Sequence, residues 1–417
     1  MRAKKDRALP VILLAIFLDL VTNGILVPIV PQLLANPQSP FYLLPAGVPI
    51  YYAYVLLGLL IGILPIFLFF STPIFGAYSD LVGRRKVMVL ALTGSGIALG
   101  LFAIGVTLKS LTILFIARIL GGIMGGNLSV AQAAIADITP PEKRAARFGL
   151  IGAAYGVGFI VGPVIGALLS DNNLVPWFQA STPFWFAAGL AIINALMIWW
   201  LMPNTDNERL SPAEHIETIK KSLGSAIRDI IRAYNLKRIR FVFATNFFFQ
   251  AGLALFATFF AVFLTNKFNF TQVNIGYYIG FIGIWVIISQ GFLLRLLCKW
   301  FEEVALLRTF LILGSASIFL YYITQNILGL LIVGACFALT NGISMATLPS
   351  LASRRAPAYI QGEIMGINSS VQALGQAIPP VLAGFLAAEI TPSAPIYIAG
   401  AVIGIGWLVF VTTVRKE

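Results

Sequence analysis

The sequence predicts an all-α membrane protein whose chain crosses the bilayer about twelve times. The 417 residues are 59% hydrophobic and only 11% charged, whereas soluble domains average about 25% charged residues. The apolar residues form long runs, and each run reaches the ~20 residues that a helix needs to cross a ~30 Å hydrocarbon core. Short polar connections separate the runs. Helices are therefore expected in the membrane, because they satisfy their own backbone hydrogen bonds there.

The first six expected spans occupy residues 1–202. They lie near 8–31, 52–75, 87–108, 111–136 and 148–170, with the sixth ending near 201. Span 1 is too long for a signal-peptide core and lacks a cleavage site after it, so it is expected to be retained. Spans 4 and 5 are rich in glycine, which lets helix backbones approach closely in a membrane.

Residues 203–240 are the one long polar segment and the expected linker. From Ala213 to Tyr234, apolar residues recur at helical spacing with Lys and Arg between them, which predicts an amphipathic helix on the inner membrane surface. A regulatory domain is the alternative, but the segment is short for independent folding. Residues 241–417 supply six more spans, near 241–264, 273–297, 304–323, 327–351, 361–387 and 395–414.

An internal repeat supports two sets of six spans. A shift of 217 positions places span 5 on span 11, aligning Gly149, Gly158 and Pro163 with Gly366, Gly375 and Pro380. A second match aligns Gly76, Asp80 and Gly83 with Gly291, Arg295 and Cys298. The expected fold is two pseudo-symmetric six-helix bundles.

The net charge of +12 follows the expected topology. Basic residues group in alternate connections, and the other connections contain only Lys109 and Lys267. This bias predicts that both termini are cytoplasmic. It also predicts some attraction to anionic lipid, and no nucleic-acid partner is expected.

Several kinds of chemistry are not expected from this sequence. The two cysteines, Cys298 and Cys336, are far apart and the single histidine, His215, lies in the linker, so no metal and no cofactor are expected. The sequence has neither a phosphate-binding loop nor a nucleophile with a neighbouring base. It therefore predicts a protein that is not an enzyme and does not use ATP.

Two ionisable residues lie well inside expected spans: Asp19 in span 1 and Arg118 in span 4. A charge within the bilayer costs about 2.5–3.5 kcal/mol on insertion scales, which makes each a functional candidate. At ~1.5 Å per residue, Asp19 lies ~17 Å and Arg118 ~20 Å from the inner face. We expect them to pair, directly or through water, and to couple protons to a conformational change. A permanent ion pair that only fixes two spans is the alternative.

The turn between spans 2 and 3 reads Gly76-Ala-Tyr-Ser-Asp80-Leu-Val-Gly83-Arg84-Arg85-Lys86. It resembles the signature loop of the major facilitator superfamily, whose members are transporters. The resemblance implies a gate, in which Asp80 accepts hydrogen bonds from the start of span 11 near Gln361 and Arg84 pairs with Asp137. The expected gate residues are Gly76, Asp80, Gly83, Arg84, Arg85 and Asp137.

Further stretches resemble proton-driven drug exporters of that superfamily. The segment from Asp19 to Pro31 is similar to their span 1, and the stretch Ala117–Ser170 most resembles tetracycline-type exporters. Gly158, Gly162, Pro163 and Gly166 are similar to a span 5 motif associated with antiporters. Tetracycline exporters carry an aspartate in span 9, whereas Leu306–Ile323 has no acid, so a different, more lipophilic substrate is favoured.

The resemblance implies proton antiport that exports a small lipophilic or cationic compound. The expected partners are this small-molecule substrate, protons and membrane lipid, and the expected state is a monomer in a bacterial inner membrane. A proton-coupled importer of a metabolite and a lipid flippase are the alternatives on the same scaffold. A transport-dead receptor is a third, against which the retained Asp19 and signature loop argue.

Polar side chains at helical spacing mark an expected cavity, because residues four apart share one helix face. Two aromatic residues at mid-depth are added to them, although either could equally face lipid. The expected substrate-binding residues are Asn23, Tyr155, Asn246, Gln250, Trp285, Gln372 and Gln376, with Asn368 in the same stripe as the last two. The phenylalanines of 247–249 and 256–263 are expected to face lipid rather than a ligand.

Overall fold

A computed structural model describes residues 2–45, 47–139, 141–202, 224–236, 239–355 and 361–414. Within these ranges the chain is helical and no strand is present, which confirms the all-α class. Among the described residues, eleven helical segments are long and apolar enough to cross a membrane. The twelfth expected span, span 5, lies in the helix Pro141–Leu169.

Spans 1 to 6 are built from eight helices, because spans 1 and 4 are each interrupted. The helices are α1 (Arg2–Ile25), α2 (Val30–Leu34), α3 (Ile50–Val82), α4 (Arg84–Thr107), α5 (Leu111–Met124), α6 (Asn127–Ile138), α7 (Pro141–Leu169) and α8 (Thr182–Leu201). Span 1 is α1 with α2, and span 4 is α5 with α6. Spans 2, 3, 5 and 6 are α3, α4, α7 and α8.

The second half begins with a helix of the linker and continues with spans 7 to 12. The helices are α9 (Ser225–Asn235), α10 (Arg240–Phe268), α11 (Gln272–Ile288), α12 (Leu294–Leu297), α13 (Glu303–Ile323), α14 (Ile327–Arg354), α15 (Gln361–Ala377), α16 (Pro379–Glu389) and α17 (Ala394–Thr413). A π-helical turn, Ser289–Leu293, joins α11 to α12. Of the expected amphipathic helix, residues 213–223 lie outside the described part, and α9 is the remainder.

The chain divides into two compact units. The first comprises Met1–Ile29 and Ile66–Ala226, and the second comprises Val30–Pro65 and Ile227–Glu417. Helix α3 therefore contributes its first half to the second unit and its second half to the first. The expected bundle boundaries, 202 and 241, stay a prediction.

The core of the first unit surrounds α1, which packs against α6, α7 and α8. Ile12 and Ile16 of α1 are buried together with Met88 of α4 and Val130 of α6. Apolar residues on the outer faces, such as Trp200 of α8, remain exposed. This distribution fits a helix bundle whose surface meets lipid rather than water.

Span 4 breaks at Gly125 and Gly126, where glycine lowers helix propensity. Helix α3 packs against this break: a Cβ on Gly125 would lie 2.8 Å from Leu68 Cδ1, and one on Gly126 would lie 2.5 Å from Phe75 Cβ. The Ser71 hydroxyl donates to the Gly122 carbonyl over 2.8 Å. This carbonyl, at the end of α5, also accepts from the Gly125 backbone N–H over 3.4 Å, so the hydroxyl adds a second hydrogen bond that joins α3 to α5.

The second unit is centred on α10, which packs against α14, α15, α16 and α17. The ring centroids of Phe256 and Phe260 are 4.3 Å apart, and those of Phe256 and Phe337 are 4.6 Å apart. Phe259 and Phe263 are also buried. The expectation that the 256–263 phenylalanines face lipid is therefore wrong, because they fill the space between α10 and its neighbours.

The first half of α3 packs on α16 within the second unit. A Cβ on Gly58 would lie 2.8 Å from the Cα atom of Gly384, and one on Gly62 would lie 2.7 Å from a methyl group of Val381. Glycine allows this approach because it has no side chain. The Tyr51 hydroxyl also donates to the Glu389 carboxylate over 2.9 Å.

Candidate functional site

Asp19 lies on α1 and Arg118 on α5, and both side chains are partly accessible. Among the described side chains, no direct ion pair joins the two. The direct form of the expected pairing is thus not present, and the water-bridged form stays a prediction. Asn23, one helical turn beyond Asp19, is exposed and donates from Nδ2 to the Asp19 backbone carbonyl over 2.8 Å.

The packing of span 4 explains why the direct pair is missing. The depth estimate places the two residues at a similar level but does not make them neighbours, and α6 rather than α5 is the half of span 4 that packs against α1. Arg118 belongs to α5, whose main neighbour is α4. The residue of span 4 that lies beside the Asp19 carboxyl is Asn127, the first residue of α6.

Asn127 was not among the expected site residues. Its side chain is 1% exposed, and it follows a pair of glycines. A polar residue directly after Gly-Gly inside an apolar run is the sequence signal that could have identified it, because glycine pairs favour helix breaks.

The glycines of the expected antiporter motif line the face of α7 that packs on α1. A Cβ on Gly158 would lie 2.7 Å from Leu20 Cβ, and one on Gly162 would lie 2.7 Å from the Val21 carbonyl oxygen. A Cβ on Gly166 would lie 2.9 Å from the Cα atom of Ile25. No side chain fits between the two backbones, so α7 holds the helix that carries Asp19.

Pro163 completes this contact. It lies inside α7, and a Cβ on Gly24 of α1 would lie 2.9 Å from Pro163 Cδ. The same arrangement recurs in the second unit, where α15 packs on α10 and a Cβ on Gly375 would lie 3.0 Å from Gln250 Cβ. Gly375 is the repeat counterpart of Gly158, so this packing agrees with the internal repeat.

Arg84 is the centre of the expected gate. Its Nε atom lies 3.0 Å from an Asp137 carboxylate oxygen, and its Nη2 atom forms an ion pair with Asp80. Its Nη1 atom donates to the Ser79 hydroxyl over 2.5 Å and to the Gly76 carbonyl over 3.4 Å. The predicted Arg84–Asp137 pair is confirmed. Ser79, which is buried, was missed although it directly precedes Asp80.

Three other gate residues have distinct structural roles. Gly83 caps α4 with a φ of 102°, a conformation that favours glycine. Arg85 stacks over the ring of Trp199 at 4.8 Å and donates to the Trp199 carbonyl. Gly76 has open space around its Cα atom. The expected contact of Asp80 with Gln361 involves a side chain outside the described part.

Four amides of the expected polar stripe form two hydrogen-bonded pairs between α10 and α15. Asn246 donates from Nδ2 to the Asn368 amide oxygen over 2.7 Å, and both side chains are buried. Gln376 donates to the Gln250 amide oxygen over 3.2 Å. These bonds stabilise helix contacts, which leaves the exposed Gln376 as the member most open to a ligand.

The remaining expected cavity residues are less closely connected. Gln372 is partly accessible on α15. The Trp285 ring lies edge-on to Phe281 with centroids 6.3 Å apart. The side chain of Tyr155 lies outside the described part of the structure.

Comparison with known proteins identifies the family. Residues 12–380 match the family described as Major Facilitator Superfamily. The Mus musculus "Major facilitator superfamily domain-containing protein 10" is 30% identical over 414 residues, which cover 91% of this chain and 87% of that protein. The "Tetracycline resistance protein, class E" of Escherichia coli is 29% identical, and the alignment covers 91% of this chain and 88% of that protein. "Multidrug resistance protein 1" of Bacillus subtilis (strain 168) is 27% identical, with 97% and 95% covered.

A solved structure of a human protein supports the same fold. The crystal structure of the human organic anion transporter MFSD10 (TETRAN) aligns with a TM-score of 0.69 at 23% identity, covering 97% of this chain and 99% of that chain. The family comprises membrane transporters rather than enzymes, as the sequence predicts. With its apolar helices, repeated glycine contacts and Arg84-centred loop, this chain belongs to the Major Facilitator Superfamily.

Proposed function

We propose that this transporter is a proton-driven antiporter that exports a small lipophilic or cationic compound by alternating access. The observation that carries the proposal is Asp19, an acid in the apolar stretch of α1 whose side chain keeps partial access to solvent. A carboxyl at this depth is costly and marks a proton pathway in many transporters. Partial access allows it to take up a proton from one side and release it to the other.

Two further observations support export rather than import. The face of α7 formed by Gly158, Gly162 and Gly166 holds α1 at backbone contact, and its sequence is similar to the antiporter motif. Two relatives are resistance proteins by name. Because α13 contains no acid between Leu306 and Ile323, the proposed cargo is not a tetracycline–magnesium chelate.

A second candidate cargo is an organic anion. The human relative whose structure aligns over nearly the whole chain is an organic anion transporter, and the mouse protein of the same name is 30% identical. Arg118 would supply a positive charge within span 4. The two candidate cargoes differ in charge, so a transport assay with a cationic dye and an anionic dye distinguishes them.

Transport by everted membrane vesicles tests the direction and the cargo. Ethidium, a lipophilic cation, is expected to accumulate in everted vesicles when their lumen is acidified, and the accumulation should end when nigericin collapses the pH gradient. Accumulation driven by the opposite gradient would indicate proton symport and overturn the proposal. Accumulation of fluorescein but not of ethidium would select the organic anion.

The proposed gate comprises Arg84, its partners Asp80, Asp137 and Ser79, and the flanking residues Gly76, Gly83 and Arg85. Arg84 ties together the adjoining ends of α3 and α4 and the end of α6. A guanidinium can satisfy several acceptors at fixed angles, whereas an ammonium is a compact point charge. We propose that this network stabilises one conformation of the transport cycle.

Arg84→Lys is therefore expected to slow transport more than it weakens binding. The substitution removes charge-assisted hydrogen bonds that contribute about 1.5–3 kcal/mol each. We therefore expect the variant to transport ethidium about tenfold or more slowly than the unaltered protein. Ethidium affinity should remain close to that of the unaltered protein. Arg295→Lys, at the exposed repeat counterpart of Asp80 on α12, is the matched control. A large loss of affinity in Arg84→Lys would contradict the gate role.

The proposed setting is a bacterial plasma membrane with both termini in the cytoplasm. The six-helix bundles 1–202 and 241–417 are the proposed moving bodies, and the monomer is the proposed working unit. The amide stripe of Asn246, Gln250, Gln372 and Gln376, with Asn23, Tyr155 and Trp285, is the proposed substrate surface.

A further inference from the structure

Asn127 carries a buried amide at the first position of α6. Its side chain is 1% exposed, and it stands at the start of α6, directly after the break in span 4. Within the part of the chain that the structure describes, neither its amide oxygen nor its amide nitrogen has a hydrogen-bond partner. A buried unpaired amide is destabilising, so its presence calls for a role that offsets the cost.

The neighbour of this amide is the Asp19 carboxyl. Helix α6 packs against α1, and Val130 and Ala134 are buried in the same cluster as Ile12 and Ile16. Asn127 is the first residue of α6 and lies beside the carboxyl, but the two groups do not meet hydrogen-bond geometry in this structure. Such bonds often tighten only in the working complex.

The chemistry of an amide suits a carboxyl that changes its protonation. A carboxylate only accepts hydrogen bonds, whereas a protonated carboxyl also donates one. The amide carries both a donor and an acceptor. Asn127 can therefore donate to the carboxylate from its NH₂ group or accept from the protonated carboxyl at its oxygen.

We propose that Asn127 is a positioning residue for Asp19, which bonds the carboxyl in both protonation states and sets the pH range over which it exchanges its proton. This inference rests on the proposed proton-coupling role of Asp19. The position of Asn127 also favours the ionised form of Asp19. The N–H groups at the start of a helix and the positive end of its dipole stabilise a nearby carboxylate.

Other ionisable groups on the helices around α1 are few. Helix α8 has none in its sequence. Helix α6 carries Asp137, which lies ~15 Å further along that helix. Helix α7 carries Tyr155 and the ionisable residues of 142–147, whose side chains lie outside the described part. On α5, Arg118 makes no direct ion pair with the carboxyl among the described side chains.

A second buried amide provides the matched control. Asn194 of α8 is fully buried and donates from Nδ2 to the Ala15 backbone carbonyl over 2.9 Å. It contacts α1 one helical turn before Asp19. Because Asn194 bonds a backbone group, its loss should weaken packing without changing how the carboxyl exchanges its proton.

The test measures protonation of Asp19 without requiring transport. Dicyclohexylcarbodiimide modifies protonated carboxyls in apolar surroundings, and mass spectrometry of the purified full-length protein gives the modified fraction at Asp19. Between about pH 5 and about pH 9, we expect Asn127→Leu to move the midpoint of this profile by about one pH unit or more. The midpoint for Asn127→Gln, which keeps the amide, should lie closer to that of the unaltered protein. Asn194→Leu should not move the midpoint.

Three results would overturn the inference: an unchanged midpoint in Asn127→Leu, an equal shift in Asn194→Leu, or pH-independent modification of Asp19 in the unaltered protein. If Asn127→Leu does not fold, Asn127→Ala serves instead, because it also removes the donor and the acceptor of the amide. A midpoint that depends on Asn127 in a protein whose transport ignores the pH gradient would refute the antiport proposal and leave the Asn127 contact standing.

Discussion

Asp19→Asn is expected to abolish accumulation of ethidium driven by a pH gradient in everted vesicles. The asparagine keeps the size and hydrogen-bonding capacity of the side chain but cannot carry a proton at any physiological pH. Exchange of ethidium down its own gradient should persist, because it does not require proton coupling. The measurement is the accumulated dye with and without the pH gradient, compared at equal amounts of folded protein.

The control for this variant is Asp171→Asn in the connection between α7 and α8. Asp171 accepts hydrogen bonds from the backbone and side chain of Asn173 and lies outside the spans. The Asp171→Asn variant should transport ethidium at the same rate as the unaltered protein. If Asp19→Asn kept full coupling, the role of this carboxyl would be refuted, whereas the family assignment would stand on residues 12–380.

Gly162→Ala is expected to destabilise the protein and reduce transport strongly. The added methyl group would lie 2.7 Å from the Val21 carbonyl oxygen and 2.8 Å from the Cα atom of Gly24. Both are backbone atoms, so the clash cannot be relieved by rotating a side chain. The helices α1 and α7 must move apart. Overpacking of this kind costs about 1–3 kcal/mol, and the separation also displaces Asp19. The thermal unfolding midpoint in detergent and ethidium transport measure the two effects.

Gly189→Ala is the matched control for this substitution. Gly189 lies on α8, is exposed and has no atom within 4 Å of an added Cβ. The same change should stabilise the helix there by up to about 1 kcal/mol, because alanine is the better helix former. Equal unfolding midpoints for the two variants would contradict the assigned backbone contact between α1 and α7.

Hydropathy and charge were sufficient to predict the helical class and the approximate spans. These features are local: a long apolar run in a membrane has few alternatives to a helix. The Arg84–Asp137 pair also follows from the sequence, through the resemblance of its loop to a known signature. The glycines of span 5 were identified through their similarity to an antiporter motif, and the structure shows that they lie against the backbone of α1.

Other features depended on contacts between residues distant in the chain. Neither the pairing of Asn246 with Asn368 nor the burial of Phe256 follows from its neighbours in sequence. Either residue could have faced lipid, a cavity or another helix. Which of these occurs depends on how α10 meets α14 and α15.

The amino-acid order alone predicted the approximate membrane spans and the two ionisable residues, Asp19 and Arg118, within them. Three-dimensional packing determined which side chain stands beside Asp19. Span 4 breaks at Gly125 and Gly126, where Leu68 and Phe75 of α3 pack against the chain, so Arg118 and Asn127 belong to separate helices. The glycine pair is visible in the sequence, but the contacts with α3 join residues more than 40 positions apart and arise only in the folded chain.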